Sequence, residues 1–178
     1  MRIAVSGVHY CGKTTLIESL LEHLPGYTSV DEPYYLLEEE GYEFAHPPTV
    51  EDFEEQIKRS VAVIKESGDD TIFDRSPLDY LAYALVAAKE SPFDECVDVE
   101  NLLQMMNDAI DLLDLIVYIP IESRILVPNC QDLKFRRNVE ATLQEILLED
   151  SLEILDDIEV LEVTGSLEKR VKMVRSFL

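Results

Sequence analysis

The chain has no tryptophan, no Gly/Ser-rich linker, no internal repeat and no apolar run near the ~18 residues of a membrane span. Basic residues are scarce: 15 Lys plus Arg stand against 37 Asp plus Glu, a formal net charge of −22. Surfaces for nucleic acid or anionic membrane need Lys/Arg-rich patches, so neither partner class is expected. Three cysteines, Cys11, Cys96 and Cys130, form an odd set without metal-ligand spacing, and His9, His23 and His46 are scattered. Neither a disulfide framework nor a Cys/His metal cluster is expected, and a reducing, cytoplasmic setting is. Gly7 and Lys13 interrupt the first apolar stretch, so no leader peptide is expected.

What is present is a globular composition, 47% hydrophobic over 178 residues, the length of one domain spanning 1–178. Apolar runs at 2–6, 27–31, 70–74, 114–119 and 159–163 predict strands. Helical spacing follows the first run through Leu16, Ile17, Leu20, Leu21 and Leu24, and recurs over 50–66, 98–112, 136–149 and 166–177. Thr49 with Asp52 predicts a capping box, and Ser76-Pro77-Leu78-Asp79 a further helix start. Residues 150–158 are ambiguous between helix extension and loop. Strands alternating with helices predict an α/β, doubly wound five-stranded parallel sheet with helices on both faces. In such a sheet, ligands bind at the carboxyl ends of the strands.

At the end of the first strand, Gly7-Val8-His9-Tyr10-Cys11-Gly12-Lys13-Thr14 reads G-x-x-x-x-G-K-[ST]. This is a phosphate-binding loop: glycines let successive N–H groups face the phosphates, Lys13 reaches the β- and γ-phosphates, and the Thr14 hydroxyl ligates Mg²⁺. The positive end of the helix behind it faces the same anion. Gly7, Tyr10, Cys11, Gly12, Lys13, Thr14 and Thr15 are therefore the candidate nucleotide-binding residues, with ATP and Mg²⁺ as cofactors. Cys11 is either an oxidation-sensitive thiol or a small filler. His9 faces either phosphate and acceptor or solvent.

Two neighbouring strand ends carry carboxylates, in Asp31-Glu32-Pro33 and Asp74-Arg75-Ser76-Pro77. Phosphoryl transfer needs an acceptor oxygen in line with the γ-phosphate, charge neutralisation and a base. Glu32 suits the base, Asp74 suits Mg²⁺ together with Thr14, and Arg75 suits the steadying of acceptor or phosphoryl group.

These motifs resemble the P-loop kinases of the nucleoside and nucleotide kinase group. Deoxynucleoside kinases carry a similar Glu-Pro after strand two and a Glu-Arg-Ser after strand three, where this chain has Asp74. The run Asp74-Arg75-Ser76-Pro77-Leu78-Asp79-Tyr80-Leu81-Ala82-Tyr83 looks still more like ATPase domains related to bacterial ribosylnicotinamide kinase. The resemblance implies a strand order of 2-3-1-4-5 and a small helical lid, about 121–138, whose arginines close over the phosphates. Arg124, Lys134, Arg136 and Arg137 fall there, and either Arg136 or Arg137 is the catalytic candidate. Both also suit helix-surface pairing with Glu140. Gly165-Ser166 either borders the adenine or caps the last helix.

The expected partner is a small-molecule acceptor. Tyr34, Tyr35, Tyr42, Phe44, Phe53, Tyr80 and Tyr83 suit either stacking on a planar acceptor or core packing. Residues 33–57 contain no Lys or Arg to hold an acceptor phosphate, which favours a neutral or cationic hydroxyl acceptor, such as a nucleoside or nicotinamide-riboside-like molecule. The alternative is a nucleotide-dependent regulatory ATPase acting through a protein partner. A GTPase is disfavoured because no glycine has an Asp three residues before it. Asn129-Cys130-Gln131-Asp132 also lacks the lysine of a guanine-reading motif. An AAA-type motor is disfavoured because the chain is too short for its helical lid domain. A homodimer is left open as the assembly.

Overall fold

The computed structural model describes residues 1–93, 95–122, 132–156 and 158–178. Its core is a five-stranded, all-parallel sheet: β1 (Arg2–Ser6), β2 (Thr28–Val30), β3 (Thr71–Asp74), β4 (Leu115–Tyr118) and β5 (Glu159–Glu162). The strand order is β2-β3-β1-β4-β5, as expected. The three central strands read Ile-Ala-Val, Ile-Phe and Leu-Ile-Val because helices cover both faces, so neither side of those strands meets water. The edge strands β2 and β5 are partly exposed and carry the polar residues.

Seven helices lie among the described residues: α1 (Lys13–His23), α2 (Pro33–Glu39), α3 (Val50–Glu66), α4 (Pro77–Glu90), α5 (Val99–Ile110), α6 (Leu133–Leu148) and α7 (Leu167–Phe177). They pack in two groups, α1 with α7, and α2 to α6 linked through α3 and α4. The starts of α3 and α4 follow the sequence. Thr49 Oγ1 accepts from Asp52 N while Asp52 Oδ2 accepts from Thr49 N at 2.7 Å, and Ser76 and Asp79 form the same reciprocal box. Each such cap is worth ~1 kcal/mol.

Three local details emerge. Pro33 occupies the first turn of α2, a helix the spacing did not predict, where its missing N–H would be unpaired anyway. Helix α6 begins at Leu133, capped by Asp132, three residues before the expected start at 136. The described part of 150–158 forms turns and does not extend α6.

Register sets the site. Val5 lies beside Asp74 and Ser6 beside Tyr118, so the carboxyl ends of β1, β3 and β4 finish level. The loop after β1 therefore meets the β3–α4 junction.

Candidate active site

Gly7 leaves β1 at φ 144°, and a Cβ there would lie 2.5 Å from the Ile119 carbonyl oxygen. No side chain fits. Gly12 caps α1 in the left-handed region, at φ 96°. Among the described residues, none of the N–H groups of Tyr10 to Thr15 has a protein acceptor. Six consecutive donors at a helix N-terminus make a cradle for an anion. Cys11 is fully buried, and burial pushes its thiol pKa up, which fits the filler role.

The Thr14 hydroxyl donates to Asp74 Oδ2 at 3.0 Å. Asp74 Oδ1 is buried with no hydrogen-bond partner among the described residues. Burial pushes the Asp74 pKa up, outweighing the pull of Lys13 and Arg75. A hydroxyl and a carboxylate with one unmatched oxygen are the hard donors that Mg²⁺ takes when phosphates and water supply the rest. Among the described residues no cluster of three His, Cys, Asp or Glu could hold a metal on its own.

Glu32, at the start of α2, accepts from Arg75 Nε through Oε1 at 2.7 Å, and its Oε2 makes no hydrogen bond among the described residues. Burial works against the ionised carboxylate. The Arg75 and Lys13 charges and the Arg75 hydrogen bond override it, so the Glu32 pKa lies below the ordinary glutamate value. Arg75 itself is buried, holds a left-handed backbone at φ 84°, and donates through Nη1 to Gly7 O at 2.8 Å. Strain of this kind, ~1–3 kcal/mol, persists only where surroundings enforce it. Here Asp79 does so: fully buried, it accepts from Gly7 N at 2.8 Å and from both the Ser76 amide and hydroxyl.

The two lid candidates part company. Arg136 is 4% exposed, and its guanidinium reaches His9 O at 3.0 Å and Tyr10 O at 3.4 Å. Arg137 is exposed and donates to Leu133 O within its own helix. Lys134 pairs with Glu90 at 3.5 Å, and Arg124 lies outside the described residues. Sequence reasoning missed Arg170 of α7, which is buried and donates to Cys11 O at 3.1 Å and to Glu122 at 3.0 Å. Beside it, a shallow pocket of about 340 Å³ runs along Gly12, Thr15, Gly165 and Ser166. Ser166 also caps α7 by accepting from Lys169 N, as its helix-cap reading expects.

On the other side of the loop opens a cavity of about 630 Å³. His9, Phe53, Tyr83, Phe93 and Phe135 supply its rings, Glu90, Glu95 and Asp132 its charges, and no Lys or Arg among the described residues lines it. Tyr83 OH bonds both the backbone N–H and Nδ1 of His9, at 2.9 and 2.8 Å. Of the expected aromatics, Phe53 and Tyr83 are here. Tyr34, Tyr42 and Phe44 instead pack on one another, Tyr34 stacking on Phe44 at 4.4 Å, and Tyr80 is core.

This geometry has a family. The model of the AAA domain family AAA_28 matches residues 2–170. The chain belongs to that family. Solved structures similar to this chain include several kinases. Deoxyadenosine kinase from M. mycoides with bound dATP superposes at a TM-score of 0.68 and 14% identity, covering 99% of this chain and 98% of that one. Thymidylate kinase from Candida albicans gives 0.69 at 13% identity, covering 99% and 89%. The NadR protein in complex with NAD and AMP-PNP gives 0.62 at 17% identity, and the chain spans 49% of its length. At these identities the likeness shows the P-loop kinase fold. No curated protein sequence matches the chain, and no described helix is long and apolar enough to cross a membrane.

Proposed function

We propose that this single-domain P-loop protein transfers the γ-phosphoryl group of ATP to a hydroxyl of a small, nucleoside-like acceptor. The acceptor oxygen forms a bond to the γ-phosphorus, the bond from that phosphorus to the β–γ bridging oxygen breaks, and the hydroxyl proton passes to Glu32 Oε2. The loop amides and Lys13 hold the triphosphate, the base of ATP lies along the pocket at Gly165-Ser166, and the acceptor occupies the aromatic cavity beside His9. Thr14 and Asp74 would hold Mg²⁺. When bound, the ion supplies charge neutralisation at the β- and γ-phosphates. Arg137, exposed at the start of α6, suits closure over the phosphates better than the buried Arg136 does.

One observation carries the reading: a carboxylate kept ionised by Arg75 and Lys13, with one oxygen unengaged, stands beside an amide cradle. A low pKa suits a late proton transfer, as in a loose phosphoryl-transfer transition state. The cavity favours a neutral or cationic acceptor, because its three carboxylates would repel an acceptor phosphate.

The test is acceptor-dependent loss of ATP with Mg²⁺ across a panel of nucleosides, nicotinamide riboside and nucleoside monophosphates. A kinase consumes ATP far faster with one alcohol present and yields its phosphate ester. Slow hydrolysis stimulated only by a macromolecule would establish the regulatory ATPase instead, and a monophosphate outpacing every nucleoside would reject the acceptor class.

A further inference from the structure

Among the described residues, four Lys or Arg side chains are buried: Lys13, Arg75, Arg136 and Arg170. They come from three helices and the β3–α4 junction, and the chain as a whole is acidic. Yet all four end on the same few atoms. Gly7 O accepts from Arg75, Val8 O from Lys13 at 3.3 Å, His9 O and Tyr10 O from Arg136, and Cys11 O from Arg170. Five successive carbonyls of the phosphate loop are thus each held by a buried cation.

A trans peptide plane points its N–H opposite its C=O. Fixing a carbonyl outward therefore fixes the next residue's N–H inward. The carbonyls held by the three arginines belong to the peptide planes whose N–H groups are those of Val8, Tyr10, Cys11 and Gly12, and none of these has a protein acceptor among the described residues. The lysine holds the remaining plane, whose N–H, that of His9, is already bonded to Tyr83 OH. The division is chemical. Lys13 has one contact and is the group expected to leave it for a phosphate, whereas Arg136 and Arg170 each use a guanidinium fork to bind two oxygens at once.

We propose that Arg75, Arg136 and Arg170 are positioning residues that brace the phosphate loop from behind, so that four of its N–H groups converge on a triphosphate before one arrives. The inference rests on reading residues 7–14 as the triphosphate cradle, but not on any acceptor. Preorganised donors cost no rearrangement on binding, and the loop backbone would otherwise lose that ordering free energy from nucleotide affinity. The brace also carries positive charge to the outer side of the loop, where it adds to the amide field on the anion.

Arg170 gives the cleanest test, since it has no place in the transfer step. Calorimetry would compare Mg·AMP-PNP and AMP binding in wild type, Arg170→Met and Arg170→Lys. Loss of a charge-assisted brace should weaken Mg·AMP-PNP about tenfold or more in Arg170→Met while moving AMP little. The triphosphate-to-monophosphate affinity ratio then collapses. Arg170→Lys keeps the charge and loses the fork, so it should fall between. A purely structural arginine would lower the melting temperature and leave that ratio where it was. An unchanged ratio in folded protein overturns the proposal, and if Arg170→Met fails to fold, Arg170→Lys decides it on the same ratio. Wild type that binds Mg·AMP-PNP but phosphorylates nothing sinks the kinase reading and leaves the brace standing. Wild type that binds no Mg·AMP-PNP overturns both.

Discussion

The two sides of the phosphate loop are built from opposite materials. On the donor side, the buried cations of an acidic chain converge on the carbonyls of residues 7–11. On the other side, a cavity of aromatic rings and three carboxylates has no Lys or Arg among its described lining residues. A net charge of −22 would repel a triphosphate from most of the surface, so charge is concentrated where the anion must sit. Under the proposed kinase function the contrast would select one way, with a polyphosphate on one side and an uncharged or cationic partner on the other.

The donor side should break first and hardest. Lys13→Ala removes the cation that reaches the β- and γ-phosphates, and ATP turnover should fall to background in a coupled ADP assay. Glu32→Gln cuts the link between the two sides more selectively. It keeps the shape and much of the Arg75 contact but cannot take the acceptor proton, so transfer should fall by about 10²–10⁴-fold with Mg·AMP-PNP affinity nearly unchanged. Transfer at the wild-type rate would remove Glu32 from the base role.

How much of this was legible follows from where the information lies. The alternation of apolar runs with helical spacing was enough for the parallel sheet, because buried parallel strands must read as continuous apolar runs, whereas the strand order came from the family resemblance. Glu32 and Asp74 were legible as strand-end carboxylates. Helix α2 was not, because Pro33 ends a strand and begins a helix with the same missing N–H. The choice between Arg136 and Arg137 was present in the pattern: Arg136 lies three residues before Val139 on the inward stripe of α6, and Arg137 lies off it. Arg170 carries the same signal, beside Val171 and one turn before Val174 on the inward face of α7, whereas Leu167, expected inward, is exposed. An arginine on an apolar stripe has to find an acceptor inside. What no spacing could supply was the acceptor itself, a backbone carbonyl 159 residues away in sequence.

The smallest predicted effect concerns the residue that belongs to both sides. His9 gives its carbonyl to Arg136 and its ring to the acceptor cavity. Burial first, then the charges of Arg75, Arg136 and Lys13, push its pKa from 6.5 down to about 4. The unfolded chain therefore takes up a proton at higher pH than the folded one. The stability His9 contributes is complete above 6.5 and is lost as the pH falls from there toward about 4. Urea unfolding across that window should show wild type losing more stability than His9→Asn, after the shared losses from other groups cancel in the difference. Proton NMR should place the His9 midpoint near the lower end of the window. A midpoint at the ordinary histidine value would mean that neither burial nor the cations behind the loop act on the ring. A depressed midpoint that rises in Arg136→Met would mean that the two sides share one field, with the phosphate loop as its boundary.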